Sequence, residues 1–202
     1  AVAAWGAESD LGGAGFGWSV GTAGDTNGDG YADVIVGAPW YDDGQADEGR
    51  TTLYHGSGTG LQWTAAWSSE SDQASAKLGY SVSGAGDVNN DGHIDAFTAV
   101  IMHNDYVDHG DRSEIFLGNG DGTFQRVVSY SVGAGPQMIA ATDVNGDQIP
   151  DLVTADATSG SVSVVLQGTE EETVSRTMTR RADGTFGAAS TLAAGAQIST
   201  LA

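Results

Sequence analysis

The sequence has no cysteine. That absence removes disulfide scaffolds, thiolate zinc sites and cysteine nucleophiles, and leaves the compartment open. Proline is scarce, 3 of 202 residues, which excludes collagen-like and proline-rich linker classes. Basic residues are scarce too: 7 Lys and Arg stand against 27 Asp and Glu, a formal net charge of −20. Such a chain repels phosphate backbones and anionic lipid, so nucleic-acid binding is not expected. No apolar run approaches about 18 residues, so no membrane insertion by a helix is expected. The chain opens at Ala1 without a Met or a signal-like apolar core, and is expected to be processed or cut from something longer.

What the sequence does contain is glycine and aspartate. Gly supplies 31 residues, roughly twice ordinary usage. Of the 27 acidic residues, 20 are Asp. Asp is a poor helix former that prefers caps and turns, so the acidity points to loops rather than helices.

The chain repeats itself. Trp5-Gly6-Ala7-Glu8-Ser9-Asp10 returns as Trp67-Ser68-Ser69-Glu70-Ser71-Asp72, and Phe16-Gly17-Trp18-Ser19-Val20 as Leu78-Gly79-Tyr80-Ser81-Val82, both 62 residues on. Asp25, Asp87 and Asp143 head the segments DTNGDGYAD, DVNNDGHID and DVNGDQIPD. Asp121-Gly122-Thr123-Phe124 returns as Asp183-Gly184-Thr185-Phe186, the lead-in to a fourth copy. The repeats are placed at about 1–62, 63–123 and 124–185, with the start of a fourth at about 186–202.

A period of about 60 is too long for helical solenoids and fits a four-stranded propeller blade. Short β-branched and aromatic runs follow each Asp loop: Val34–Val36, Ala96–Ile101 and Leu152–Thr154, then Thr51–Tyr54, Ser113–Leu117 and Ser161–Leu166. Bounded by Gly and Asp turns, these read as strands. The polar segment Glu170 to Arg181 reads as a hairpin extension. The expected fold is all-β: antiparallel four-stranded blades of a partial β-propeller, about three blades in this chain.

Each Asp loop reads D-x-N-x-D-x-x-x-D. Three carboxylates and an amide in nine residues form a dense oxygen cluster that repels itself when empty. A hard divalent cation with six to eight oxygen ligands resolves that conflict, Ca²⁺ above all. No His or Cys side chain stands at these positions, which argues against zinc and copper. An EF-hand needs Glu at position twelve and flanking helices; position twelve here is Val36, Thr98 and Thr154, and strands follow.

With these residues in view, Gly15 to Pro39 resembles the FG-GAP repeat of integrin-α-type β-propellers. Phe16-Gly17 supplies the first motif and Gly37-Ala38-Pro39 the second. The second copy keeps Leu78-Gly79 but has Thr98-Ala99-Val100 where GAP would lie; the third, led by Leu117 to Phe124, is similar to the related VCBS repeat. The resemblance implies one structural Ca²⁺ in the loop between the first two strands of a blade. It implies side-chain ligands at positions one, three, five and nine and a carbonyl at seven. Carried over, these are Asp25, Asn27, Asp29, Asp33 and the carbonyl of Tyr31; Asp87, Asn89, Asp91, Asp95 and the carbonyl of His93; Asp143, Asn145, Asp147, Asp151 and the carbonyl of Ile149. Two to three Ca²⁺ per chain follow. Position six is Gly30, Gly92 and Gln148, so the third site is expected to be weakest if that position needs positive φ. Propellers of this type usually close with seven blades, so the chain is expected to be a fragment or to complete its ring with other chains.

Other features read blandly. Gly17-Trp18-Ser19-Val20-Gly21 matches a nucleophile elbow, but that motif needs a following helix, and Ser81 shows that the serine belongs to the repeat; the chain is not expected to be an enzyme. His55, His93, His103 and His109 share no metal spacing. Trp5, Trp18, Trp63 and Trp67 are expected to pack between blades before stacking sugars. The acidic stretches Tyr41 to Glu48 and Asn104 to Asp111 are solvated loops, or a partner or second-cation surface. There is no Arg-Gly-Asp and no N-glycosylation acceptor. The function expected is a calcium-binding, non-catalytic module of an extracellular or cell-surface protein, in adhesion or ligand binding, with a protein or glycan partner at the blade-end loops. The alternative is an accessory or carbohydrate-binding propeller of a secreted polysaccharide-active enzyme.

Overall fold

The computed structural model of the chain describes residues 5–9, 11–101, 103–104, 107–108, 111–167, 175–179 and 190–191. Among the described residues there is no helix. The first sheet holds β1 (Ser19–Gly24), β2 (Asp33–Ala38), β3 (Arg50–Tyr54) and β4 (Trp67–Glu70) in that order. The second begins with β5 (Ser81–Gly86) and β6 (Asp95–Val100). A small hairpin of β7 (His103–Asn104) and β8 (Val107–Asp108) interrupts the connection. The sheet then continues through β9 (Arg112–Gly118) to β10 (Phe124–Ser131). The third runs β11 (Pro136–Thr142), β12 (Asp151–Asp156), β13 (Ser161–Val165), β14 (Ser175–Thr179) and a short β15 (Ser190–Thr191). Every pairing within the sheets is antiparallel.

The expected strands all form. The segment Glu170 to Arg181 contains β14, and its other residues lie outside those described. The third sheet exceeds four strands because Ser190 and Thr191, counted by sequence with the fourth copy, pair with β14. Most of 186–202 lies outside the described residues. Positions 62 and 123, where one sequence repeat gives way to the next, fall between β3 and β4 and between β9 and β10.

The sheets stand side by side as consecutive blades of a partial propeller. Their first strands meet closely, with β5 between β1 and β11. Glycine permits the approach: a Cβ at Gly21 would lie 2.9 Å from the Val82 carbonyl oxygen, and one at Gly84 2.8 Å from that of Thr22.

Two cores fill the spaces between blades. Ile35 and Leu53 of the first blade pack with Leu78, Val82, Ala96, Val100 and Phe116 of the second. On the opposite side, Phe97 and Ile115 pack with Leu152 and Val165 of the third. Neighbours Ala96 and Phe97 therefore face opposite cores, as do Ile115 and Phe116, the period-two alternation of a strand. The centre of the middle blade is buried on both faces: every residue of β6 is buried, as is β9 from Ser113 to Phe116. Each fully buried Leu, Ile or Phe contributes about 1.5–3 kcal/mol.

The paired glycine motifs form one joint. The Gly17 amide donates to the Gly37 carbonyl at 3.1 Å within the first blade. A Cβ on Gly37 would overlap the carbonyl oxygen of Gly79 in the second blade. That same carbonyl accepts the Ser19 hydroxyl at 2.8 Å.

Candidate functional site

The Asp loops leave one end of the blades, between their first and second strands; the first two close identically and the third with one bond changed. In the first, the Asp29 amide donates to Asp25 Oδ1 (3.0 Å) and to Asn27 Oδ1 (3.1 Å). The Gly30 amide reaches Asp25 Oδ2 at 2.8 Å, and the Tyr31 amide reaches Asp29 Oδ1 at 2.9 Å. The second loop repeats each bond with Asp87, Asn89, Asp91, Gly92 and His93. The third places the Gly146 and Gln148 amides on Asp143, the Asp147 amide on Asn145 and the Ile149 amide on Asp147. In the first two loops positions one and three thus turn oxygens toward a single backbone amide, with the position-five carboxylate beside them; in the third they accept from different amides.

Position nine does something else. Asp33, Asp95 and Asp151 are fully buried. Each accepts from the amide at position two (Thr26, Val88, Val144) at 2.8–2.9 Å. Its other oxygen accepts from an amide at or just beyond the end of the blade's third strand: Gly56, Gly118 and Gln167, again at 2.8–2.9 Å. The ninth residue is a brace between the loop and its sheet. That partner lies 16 to 23 residues away, so spacing within the loop gave no sign of it.

Sterics explain the rest of the loop. Position six is left-handed in every copy: Gly30 (φ +89°), Gly92 (+90°) and Gln148 (+74°). Position four is left-handed as well, in Gly28, Asn90 and Gly146. Gln148 therefore adopts a conformation that costs a side-chain-bearing residue about 1–2 kcal/mol.

Among the described residues, neither ion pair involves the Asp loops: Arg50 pairs with Glu70 and Arg112 with Glu114. Burial pushes the Asp95 carboxyl up to about 6; the Gly118 and Val88 amides pull it back, and the Asp91 and Asp87 carboxylates raise it further. The exposed Asp143 is held below the usual range by the Gln148 and Gly146 amides.

The comparisons match this pattern. An FG-GAP repeat family model matches residues 16–54, and an FG-GAP-like repeat model matches residues 87–154. This is an FG-GAP repeat protein. FG-GAP repeats are generally non-catalytic modules, and Ser19, in the elbow-like motif, is a strand residue bonded to the neighbouring FG-GAP blade.

The donors of the FG-GAP loops are hard oxygens of carboxylate and amide, the chemistry that suits Ca²⁺. Among the described residues no three His, Asp or Glu side chains converge as a metal-holding group. The third exposed donor of each loop is an Asn, and the ninth carboxylate is turned to backbone amides.

The tryptophans divide. Trp67 packs edge-on against Phe116 (5.0 Å) and Phe124 (5.1 Å) and donates to the Phe124 carbonyl. Trp5, 62 residues earlier, packs on Tyr54 at 5.1 Å and donates to the Gln62 carbonyl at 3.0 Å, using the equivalent positions. Trp18 packs edge-on against Trp40 at 4.6 Å and lies tilted beside Tyr80 of the next blade at 5.7 Å. Trp63 has no such seat and is 71% exposed.

The acidic stretches work as clamps at the other end. Glu48 is fully buried and accepts the Asp43 amide at 2.6 Å. The carbonyls of Ala46, Asp47 and Glu48 accept the Ser75, Lys77 and Leu78 amides of the next blade. Asp111 likewise accepts the Gly135 amide of the third blade at 2.5 Å. Asp105, Tyr106, His109 and Gly110 lie outside the described residues.

Proposed function

We propose that the chain is a calcium-binding, non-catalytic module of an extracellular or cell-surface protein that engages a protein or glycan ligand through blade-end loops. The observation that carries this reading is the threefold recurrence of one loop, with two carboxylates and an amide oxygen gathered at its tip and no basic partner among the described residues. Asp25, Asn27, Asp29, Asp87, Asn89, Asp91, Asp143, Asn145 and Asp147 would supply side-chain oxygens. Asp33, Asp95 and Asp151 hold the loops on their sheets, each with lone pairs left beside its amide bonds. The carbonyls of Tyr31, His93 and Ile149 complete the proposed set. A bound cation supplies charge neutralisation at the loop tips.

Calcium titration by calorimetry, with thermal unfolding in calcium and in chelator, tests the proposal. The expected result is two or three sites per chain at micromolar to millimolar affinity and a higher Tm in calcium. Asp87→Ala removes one site. An unchanged Tm at millimolar calcium, with a β-rich circular dichroism spectrum, refutes it. One observation favours the second reading, an accessory or carbohydrate-binding propeller of a secreted polysaccharide-active enzyme: the uncharged cavity beside Trp63.

A further inference from the structure

We propose that the cavity between Trp5 and Trp63 is a binding site for a neutral saccharide. The inference deepens the binding-module reading by naming a ligand class and a site, and it uses no cation.

The cavity is an open cleft of about 360 Å³ lined by Trp5, Trp63, Ser57, Thr59, Gln62 and Thr64, with Gly60 and Leu61 between them. Three features set it apart. The first is Trp63 itself. The other tryptophans each have an aromatic partner at 4.6–5.1 Å, whereas Trp63 has only the more distant Trp5 among the described residues, and its equivalent in the second copy is Gln125. At 71% exposed, Trp63 is the most exposed large hydrophobic side chain among the described residues. The two indoles lie 6.3 Å apart and inclined at 36°, forming an open wedge.

The second feature is the absence of charge. No lining side chain is ionisable, in a chain of net charge −20. An anionic ligand is repelled by the molecule as a whole, and a cationic one finds carboxylates elsewhere and none here. A neutral ligand with hydroxyls on one face and C–H groups on another matches indole faces rimmed by hydroxyl and amide groups.

The third feature is preorganisation. The Gly60 amide donates to the Ser57 carbonyl at 3.0 Å, and the Gln62 amide to the His55 carbonyl at 2.8 Å. Ser57 Oγ donates to the Gly60 carbonyl, and Trp5 Nε1 fixes the Gln62 carbonyl. Below the cavity, the Gly56 amide is held by Asp33. A wall fixed in this way loses little entropy when a ligand arrives.

The test uses the full chain and a set of trisaccharides: maltotriose, cellotriose, mannotriose and an N-acetylated hexosamine trisaccharide, with trigalacturonate as the anionic control. Binding is read by calorimetry and tryptophan fluorescence in calcium-containing buffer; the separate calcium titration keeps failure of the metal reading distinguishable from failure of this one. The expected result is that at least one neutral trisaccharide binds and perturbs the fluorescence, and trigalacturonate does not. Trp63→Ala then weakens binding at least about tenfold with Tm unchanged, because the indole is exposed. Thr64→Val, also at an exposed position, weakens it to a smaller degree. Three results overturn the proposal: no neutral trisaccharide binding up to about 10 mM, affinity unaffected by Trp63→Ala, or trigalacturonate binding as well as the neutral sugars.

Discussion

Exchanging glycine and glutamine at position six of the Asp loops isolates a single physical term. A Cβ built at Gly30 or Gly92 meets no atom within 4 Å, so a side chain there is not crowded. What it meets is the backbone: φ is +89° and +90° at the two glycines and +74° at Gln148. The left-handed conformation costs a non-glycine residue about 1–2 kcal/mol. Glycine gives back part of that, about 0.4–1 kcal/mol, through its greater freedom in the unfolded chain. Gln148→Gly is therefore expected to stabilise the chain by about 1 kcal/mol, and Gly92→Gln to destabilise it by a similar amount. For a chain of this size 1 kcal/mol corresponds to about 2–4 °C in Tm. Thermal unfolding in chelator reads both variants without any contribution from bound metal. Shifts of the same sign in the two variants, or none in either, refute the argument that position six is set by backbone conformation. Under the calcium reading, Gln148→Gly also tightens the third site, a separate readout by calorimetry.

Two further outcomes are expected. Gly37→Ala drives a methyl group into the Gly79 carbonyl oxygen and is expected to cost about 3 kcal/mol or more through overpacking at the first blade interface, seen as a Tm loss on the order of 10 °C; a shift under a degree or two refutes the close approach. Asp156 is buried and its carboxyl is raised above the usual range, first by burial, with the Ser163, Thr154 and Ser161 hydroxyls pulling it back. Because the folded value lies above the unfolded one, its contribution is fully present below about pH 4 and is lost as pH rises through the folded value. Asp156→Asn keeps hydroxyl partners that can rotate to suit an amide, so the variant is expected to gain on the parent as pH rises from about 4 in chelator; a difference moving the other way refutes the assignment.

Much of the fold was legible because its signals are local. The strands are β-branched runs between Gly and Asp turns, and the Asp loops carry their register within nine residues. The features that were not legible depend on distant partners. The bracing role of Asp33 was hidden, because its bond to Gly56 crosses two strands. Glu48 read as part of a solvated loop, because the amides that draw the loop down belong to residues 75–78 of the next blade. The need for positive φ at position four was hidden by Gly28 and Asn90, residue types that reach that region at little cost. Among the tryptophans, composition could not separate Trp67, seated on Phe116 and Phe124, from Trp63, whose counterpart Gln125 has no aromatic role.

The offset between sequence repeats and sheets has a consequence for how such a chain grows. Stability in a repeat array resides in neighbour contacts as much as in the single unit. Here a 62-residue sequence unit begins with the outer strand of the preceding sheet: Trp67–Glu70 completes the first blade before β5 starts the second. It continues with Gly79, which closes the glycine joint to Gly37. A duplicated gene segment with these boundaries thus carries its own fastening to the blade before it. A deletion at the same boundaries removes a strand and its fastening together. Copy number can change by recombination without inventing a new interface.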